Sequence, residues 1–279
     1  MDIREGLPLL AMHLAGLSVF LVAPSPAALA AMGLTYAVRV FALTGGYHRY
    51  FSHNAFRTGR VFQFVLAFLG ATAAQLGPLW WASHHRRHHA HADTVEDLHS
   101  PALHGFFWSH IGWLFCRSAA DPDYRNVQDF AKYPEIRWID RHSWVAWASL
   151  AAGLALAGEG LRAIRPAWGT GGLQFVVWGF LASTLLVYHV TFSINSLMHL
   201  FGWRRFETAD TSRNSALLAL LSFGEGWHNN HHRYPVSARQ GFRWWEVDLT
   251  YYILRLLGAL GLVWEIREPP ARLLKEVPA

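Results

Sequence analysis

Long apolar runs, uncharged except for Arg39, alternate along this chain with segments rich in Arg, His and Asp. Four of the runs stand in two pairs, at residues 7–23 and 27–44 and at residues 144–158 and 173–192. A helix needs roughly 20 predominantly apolar residues to cross a bilayer. The pattern therefore predicts two helical hairpins in a membrane, with four spans in all.

A fifth uncharged run, residues 61–83, is also long enough to cross a bilayer. Histidine-rich segments flank it at 48–53 and 84–89. If both segments contribute to one metal site, they lie on the same side of the membrane, and a single crossing between them is impossible. We therefore expect residues 61–83 to be buried or re-entrant.

The basic residues predict which side the histidines occupy. Segment 45–143 holds ten Lys or Arg and segment 200–279 holds ten more, whereas the connector 161–172 holds two. Because basic loops stay in the cytoplasm, both termini and the histidine clusters are expected there. The predicted architecture is all-α: a single domain, residues 1–279, with a cytoplasmic helical cap formed by 45–143 and 193–279.

The composition excludes several classes of protein. Charged residues make up 15% of the chain and hydrophobic residues 52%, whereas a soluble domain carries about 25% charged residues. The net charge of +5 is typical of nucleic-acid binding, but the arginines lie between apolar segments, as membrane topology requires. We therefore expect a multi-pass membrane protein with no nucleic-acid partner.

Seventeen histidines are present, and many of them cluster. Eight fall into three clusters: His48 and His53; His85, His88 and His89; and His228, His231 and His232. In the last two clusters the HxxHH spacing places the first histidine on one helix face with the two that follow. Adjacent histidines diverge by about 100° around a helix, which suits two metal ions side by side. Imidazole binds iron, zinc, copper or nickel.

The segments around these histidines resemble the membrane-bound fatty-acyl desaturases of the stearoyl-CoA Δ9 type, in their bacterial branch. GGYHRYFSH is similar to the first histidine box of that family and WWASHHRRHHAHADTVEDLHSP to the second. NSLMHLFG and GEGWHNNHHRYP are similar to its later ligand segments. The resemblance extends from about Thr44 to Arg243.

The resemblance implies two iron ions held by nine histidines and by an asparagine that acts through water. By position, it identifies His199 as the ninth histidine and Asn195 as the asparagine, and neither follows from spacing alone. It also implies that Gln75, Trp81 and Thr191 lie near the bend of an acyl tunnel. The implied reaction uses O2 and two electrons to introduce a cis double bond, at Δ9, into a saturated acyl chain.

The chain has neither a GxGxxG nor a P-loop motif, so we expect no nucleotide site. Electrons then come from a separate protein: ferredoxin, rubredoxin or cytochrome b5, with a reductase. Animal enzymes of the family have Arg-Asp before the second box to hold CoA, where this chain has Ser83 and His84. The acyl carrier is therefore open between CoA, acyl carrier protein and a phospholipid. The expected location is the bacterial inner membrane.

Two alternatives use the same residues. A related membrane di-iron hydroxylase or ketolase, acting on alkane, sterol or carotenoid, has similar metal chemistry but leaves oxygen in its product. A metal transporter or sensor needs no catalysis, but it places its ligands inside the spans. Here the histidine clusters lie among Arg and Asp, which favours the desaturase.

Overall fold

The computed structural model describes residues 3–275, and helices dominate it. The α-helices are α1 (Ile3–Gly16), α2 (Pro26–Phe41), α3 (Arg60–Ala71), α4 (Pro78–His91), α5 (Pro101–His110), α6 (Gln128–Ala131), α7 (Pro134–Arg141), α8 (Ser143–Ile164), α9 (Gly172–Gln174), α10 (Ser183–Asn195), α11 (Leu197–Leu200), α12 (Ala216–Leu221), α13 (His228–Arg233), α14 (Leu249–Ala259) and α15 (Ala271–Lys275). Short 3₁₀ helices cover Leu17–Phe20, Gly112–Phe115, Arg117–Ala119, Tyr124–Asn126 and Pro166–Trp168. Two segments, Ala42–Ser52 and Phe175–Ala182, are π-helical. A two-residue antiparallel ribbon pairs β1 (Arg57–Thr58) with β2 (Val263–Trp264).

Within the described residues, three continuous helices are long and apolar enough to cross a membrane. They are Pro26–Ser52, Ser143–Ile164 and Gly172–Leu200, and they contain the predicted spans 27–44, 144–158 and 173–192 in full. Two of them run well past the predicted ends because the π-helical segment and α11 continue the helix through residues that are polar but buried inside the protein. The helical, membrane-embedded class of the prediction is confirmed in this form.

The first predicted span, 7–23, differs from the structure. Its α-helix, α1, starts earlier and has 14 residues, with Pro8 in its first half. The helix then tightens into the 3₁₀ turn Leu17–Phe20. By helix length alone α1 is too short to count as a span, so the described residues show three such helices where four were predicted.

The run 61–83 does not form one helix. It divides into α3 and α4 at a turn where Ala74 and Leu76 adopt left-handed backbone, with φ of 56° and 63°. Helix α3 lies so close to the π-helical end of the first long helix that a Cβ on Gly70 would come 2.2 Å from the Tyr47 ring. The run therefore forms no single spanning helix, and its buried or re-entrant path stays a prediction.

A buried arginine connects two of the long helices. Arg39 is 1% exposed and donates to the Thr184 hydroxyl at 2.6 Å. It also reaches the Gly179 and Phe180 carbonyls, both at 3.4 Å, in the π-helical stretch of the opposite helix. A polar group buried without partners is costly, and these contacts explain why one arginine interrupts an otherwise apolar span.

Candidate metal centre

The π-helical segment explains the spacing of the first histidine cluster. A π-helix is closed by i→i+5 hydrogen bonds, and the His53 N–H donates to the His48 carbonyl at 3.2 Å. Two residues five apart therefore share a face, which an α-helix does not allow. The ring centroids of His48 and His53 lie 4.9 Å apart.

The two HxxHH clusters lie on α4 and α13, as their spacing predicted. Each adjacent pair of histidines divides between two sets of converging nitrogen atoms. We call these sets the five-histidine group and the four-histidine group. The five-histidine group contains His48, His53, His85, His89 and His231, and the four-histidine group contains His88, His199, His228 and His232. Within each group the ligand atoms lie within 4.8 Å of one another.

The distances between ring nitrogens fit metal ions. The Nε2 atoms of His53 and His85 lie 2.8 Å apart, those of His89 and His231 2.9 Å, and those of His199 and His228 3.1 Å. Two nitrogens that bind one ion at about 2.1 Å, with a right angle at the metal, lie about 3.0 Å apart. The buried Nε2 of His232 has no hydrogen-bond partner in the described part of the chain. Nine histidines in two groups therefore fit two ions.

Burial holds four of the clustered histidines in the neutral form: His85, His89, His231 and His232. Burial, followed by repulsion from neighbouring histidines, lowers the pKa of His85, His89 and His231 well below the usual value. Burial also lowers the pKa of His232, to about 4, although its contact with Asp210 opposes the shift. Neutral imidazole is the form that binds metals.

Carboxylates contact the Nδ1 atom of several histidines, on the side of the ring opposite Nε2. The His88 Nδ1 donates to Asp97 at 3.0 Å, and the His232 Nδ1 donates to Asp210 at 2.7 Å. His48 Nδ1 contacts Glu225. Such contacts orient the ring and raise its basicity as a ligand. The sequence analysis missed these acidic residues, because only the fold brings them to the rings.

A fourth carboxylate acts through a hydroxyl. The His199 Nδ1 donates to the Thr211 hydroxyl at 3.2 Å, and this hydroxyl donates to Asp93 at 2.7 Å. Burial alone would raise the pKa of Asp93, but its hydrogen bonds from His199, Ser100 and Thr211 lower it below the usual range. The carboxylate is therefore ionised at neutral pH.

An apolar cavity of about 300 Å³ opens beside the histidines. The residues predicted for the tunnel bend lie together on its wall with His85 and Asn195. Gln75 Nε2 donates to the Thr191 hydroxyl at 3.2 Å, and Trp81 stacks on His85 with centroids 5.0 Å apart. Asn195 borders the cavity without belonging to either histidine group.

A second cavity, of about 40 Å³, shares Trp81, His85, Thr191 and Asn195 with the first. Its other wall includes Val40 and Leu43 of the first long helix. The two spaces therefore share part of one wall beside the histidines.

Ser83 and His84 are occupied by structural contacts. The Ser83 hydroxyl accepts from the Asp123 N–H at 2.8 Å. His84 Nδ1 donates to the Trp80 carbonyl at 2.8 Å. Both side chains are buried, so neither presents a charge at the surface.

Long apolar helices, two groups of converging histidines and an adjoining apolar cavity are together typical of membrane-bound metalloenzymes that act on apolar chains. Comparison with known proteins agrees with this class. Residues 24–264 match the family described as Fatty acid desaturase, and the chain belongs to that family. The protein is therefore an oxidoreductase that desaturates fatty-acyl chains, which confirms the predicted family and replaces the transporter interpretation.

Curated relatives match nearly the whole chain. The sn-1 stearoyl-lipid 9-desaturase of Anabaena variabilis is 38% identical over 265 residues, which cover 92% of this chain and 91% of the relative. The chloroplastic palmitoyl-monogalactosyldiacylglycerol delta-7 desaturase of Arabidopsis thaliana is 36% identical, over 96% of this chain and 70% of the relative. The acyl-CoA C20 Delta5-desaturase of Anemone leveillei is 38% identical, over 82% of this chain and 70% of the relative.

Proposed function

We propose that this protein is a di-iron desaturase that introduces a cis double bond at Δ9 into a saturated acyl chain carried by a membrane lipid. It uses O2, two electrons and two protons, and with the two hydrogens removed from the acyl chain these give two waters. The observation that carries this proposal is the placement of nine histidines, in two groups, beside two adjoining cavities. Asn195 completes the proposed ligand set from the cavity side.

Two iron ions that activate O2 would supply an oxidant strong enough to break an unactivated C–H bond. The residues of this chain position the substrate and the rings. Trp81, stacked on His85, forms a wall against which the chain bends. Gln75 and Thr191 satisfy each other by a hydrogen bond, so the bend presents few unpaired polar groups to the methylenes. The apolar lining excludes water from the reacting carbons.

The histidines face the cytoplasm in the proposed topology, with both termini on that side. This requires four crossings, and α1 with its 3₁₀ extension supplies the fourth by length. Fourteen α-helical residues and four 3₁₀ residues rise about 21 Å and about 8 Å. Their sum approaches the roughly 30 Å of a bilayer core. The charge asymmetry of the loops supports the same orientation, in a bacterial inner membrane.

The acyl carrier we propose is a membrane lipid. Ser83 and His84 stand where animal relatives hold CoA, and here both are buried in structural contacts. The relative from Anabaena variabilis is named for a stearoyl-lipid substrate, although the relative from Anemone leveillei is named for acyl-CoA. The buried contacts of Ser83 and His84 and the name of the Anabaena variabilis relative support the lipid carrier.

Electrons are proposed to arrive from a separate protein: ferredoxin, rubredoxin or cytochrome b5, with its reductase. The single cysteine, Cys116, cannot hold an iron–sulfur cluster, which takes four ligands.

The test is a lipid profile in a bacterial host that lacks its own desaturase and expresses a generic electron donor. Wild type is compared with His88→Ala and with His91→Ala. His91 is exposed on the same helix, α4, and belongs to neither histidine group. We expect wild type and His91→Ala to produce a cis-9 monoene in intact lipids, located by mass spectrometry. His88→Ala should insert in the membrane but lose iron and product.

Three outcomes would contradict the proposal. Full activity and full iron content in His88→Ala would remove the ligand assignment. A hydroxylated or ketonic product would identify the alternative di-iron oxygenase. Product that appears first in acyl-CoA, with label reaching lipids only later, would show that CoA is the carrier.

A further inference from the structure

The two histidine groups differ in the charges behind them. In the four-histidine group, His88 and His232 donate directly to Asp97 and Asp210, at 3.0 Å and 2.7 Å. His199 reaches Asp93 through Thr211. Three of the four rings are thus tied to a carboxylate. The other partners that the structure gives these carboxylates are hydroxyls, backbone N–H groups and His99, all without a fixed positive charge.

In the five-histidine group, the carboxylate at a ring nitrogen is Glu225, which contacts His48. An arginine compensates this charge. Arg49 is 1% exposed and lies 3.1 Å from Glu225 and 2.9 Å from Asp248. The negative charge behind this group is therefore smaller, and it is shared with a buried guanidinium.

Carboxylates hydrogen-bonded to ligand imidazoles make the rings stronger donors and favour a more highly charged ion. We propose that Asp93, Asp97 and Asp210 make the two metal positions unequal, so that the four-histidine group holds the ion that is harder to reduce. The first electron delivered to the diferric centre then reduces the ion in the five-histidine group, and the second reduces the other. This inference rests on the proposed di-iron function.

A redox titration of the iron-loaded protein in detergent tests the inference without turnover. Dithionite is the reductant, and ⁵⁷Fe Mössbauer spectra count the ferric and ferrous ions at each potential. One electron per chain converts the diferric centre to one ferric and one ferrous ion, and a second electron gives two ferrous ions. We expect two resolved one-electron steps in wild type.

Variants that each neutralise one carboxylate test the inference by the direction in which the separation of the two steps changes. Asp210→Asn and Asp97→Asn each remove a negative charge behind the four-histidine group. Each should therefore ease reduction of the second ion and lower the ratio of the first to the second reduction constant. Glu225→Gln eases reduction of the first ion and should increase the same ratio. If the two positions were equal, each of these substitutions would widen the separation. A common sign for the three variants would therefore overturn the inference.

Asp140→Asn is the matched control. Asp140 accepts from the Leu79 and Trp80 N–H groups at the start of α4, at 2.8 Å and 3.0 Å, and touches no histidine of either group. It should leave the ratio unchanged. Wild-type protein that binds no iron would overturn the proposed function itself. Wild-type protein that binds two irons but accepts both electrons in one step would overturn the inference alone.

Discussion

Val40 offers a test of whether the smaller cavity receives the methyl end of the substrate. Its side chain lines that cavity and is 3% exposed. A space of about 40 Å³ holds about three water-sized probes, at 10–15 Å³ each. Val40→Phe adds four carbon atoms, which is enough to fill the space. The substrate then loses room for about two or three methylenes on the side of Val40.

One methylene more or less in an apolar pocket changes specificity by about 1–3 kcal/mol, or about 10- to 200-fold. We therefore expect Val40→Phe to lower kcat/KM for an eighteen-carbon chain relative to a sixteen-carbon chain at least about tenfold. Val40→Ala should shift the preference toward longer chains. The double bond should keep its distance from the carboxyl end, because the path from the carboxyl group to the histidines is untouched.

The assay is competition between sixteen- and eighteen-carbon substrates in one reaction, with products resolved by mass spectrometry. Val38→Phe is the control, since Val38 lies on the same helix but is 38% exposed on its outer side. An equal shift in Val38→Phe and Val40→Phe would refute the reasoning, because it would reflect helix disturbance. The same direction of shift in Val40→Ala and Val40→Phe would refute it too.

Two further predictions concern stability. Burial lowers the pKa of His232 to about 4 in the folded apoprotein, against about 6.5 in the unfolded chain. Between these pH values the unfolded chain binds more protons than the folded chain. The free energy of unfolding should therefore fall as the pH decreases from 6.5 to 4. Thermal unfolding of metal-free protein across that range checks this, and a midpoint independent of pH would contradict it. Arg49→Ala leaves Glu225 and Asp248 buried without their cation and should cost about 3–5 kcal/mol. Arg60→Ala, which breaks an exposed pair with Glu135, should change the free energy of unfolding far less, because solvent screens exposed pairs. Comparable losses in both variants would rule out the buried network as the cause.

The helical histidine clusters could be predicted because their chemistry is local. The spacing of His85, His88 and His89 determines which rings share a face of α4, and the structure divides the adjacent pair between the two groups. His199 is different, since it stands alone on α11, and no periodicity separates it from a packing histidine. Only the family resemblance identified it.

The carboxylates were beyond sequence reasoning for a physical reason. Asp210 and His232 are 22 positions apart and belong to different segments, so their hydrogen bond depends on how the chain folds back. The ends of the spans were missed for a related reason: the chain becomes polar after Thr44, yet the helix continues to Ser52 because its polar side chains find partners inside the protein. The assignment of nine histidines and Asn195 as ligands stays a prediction, as does the single-domain organisation.

The π-helical segments have a consequence for how this chain can change in evolution. His48 and His53 share a face only because the helix between them is π-helical, with more residues per turn than an α-helix. Loss of one codon from that stretch would restore an ordinary α-helix and turn everything after it by about 100°. The hydropathy of the segment, and so its insertion in the bilayer, would hardly alter. Selection therefore acts here on the number of residues as well as on their identity. A gene with such a deletion would encode a protein that still inserts in the membrane but has no catalytic activity.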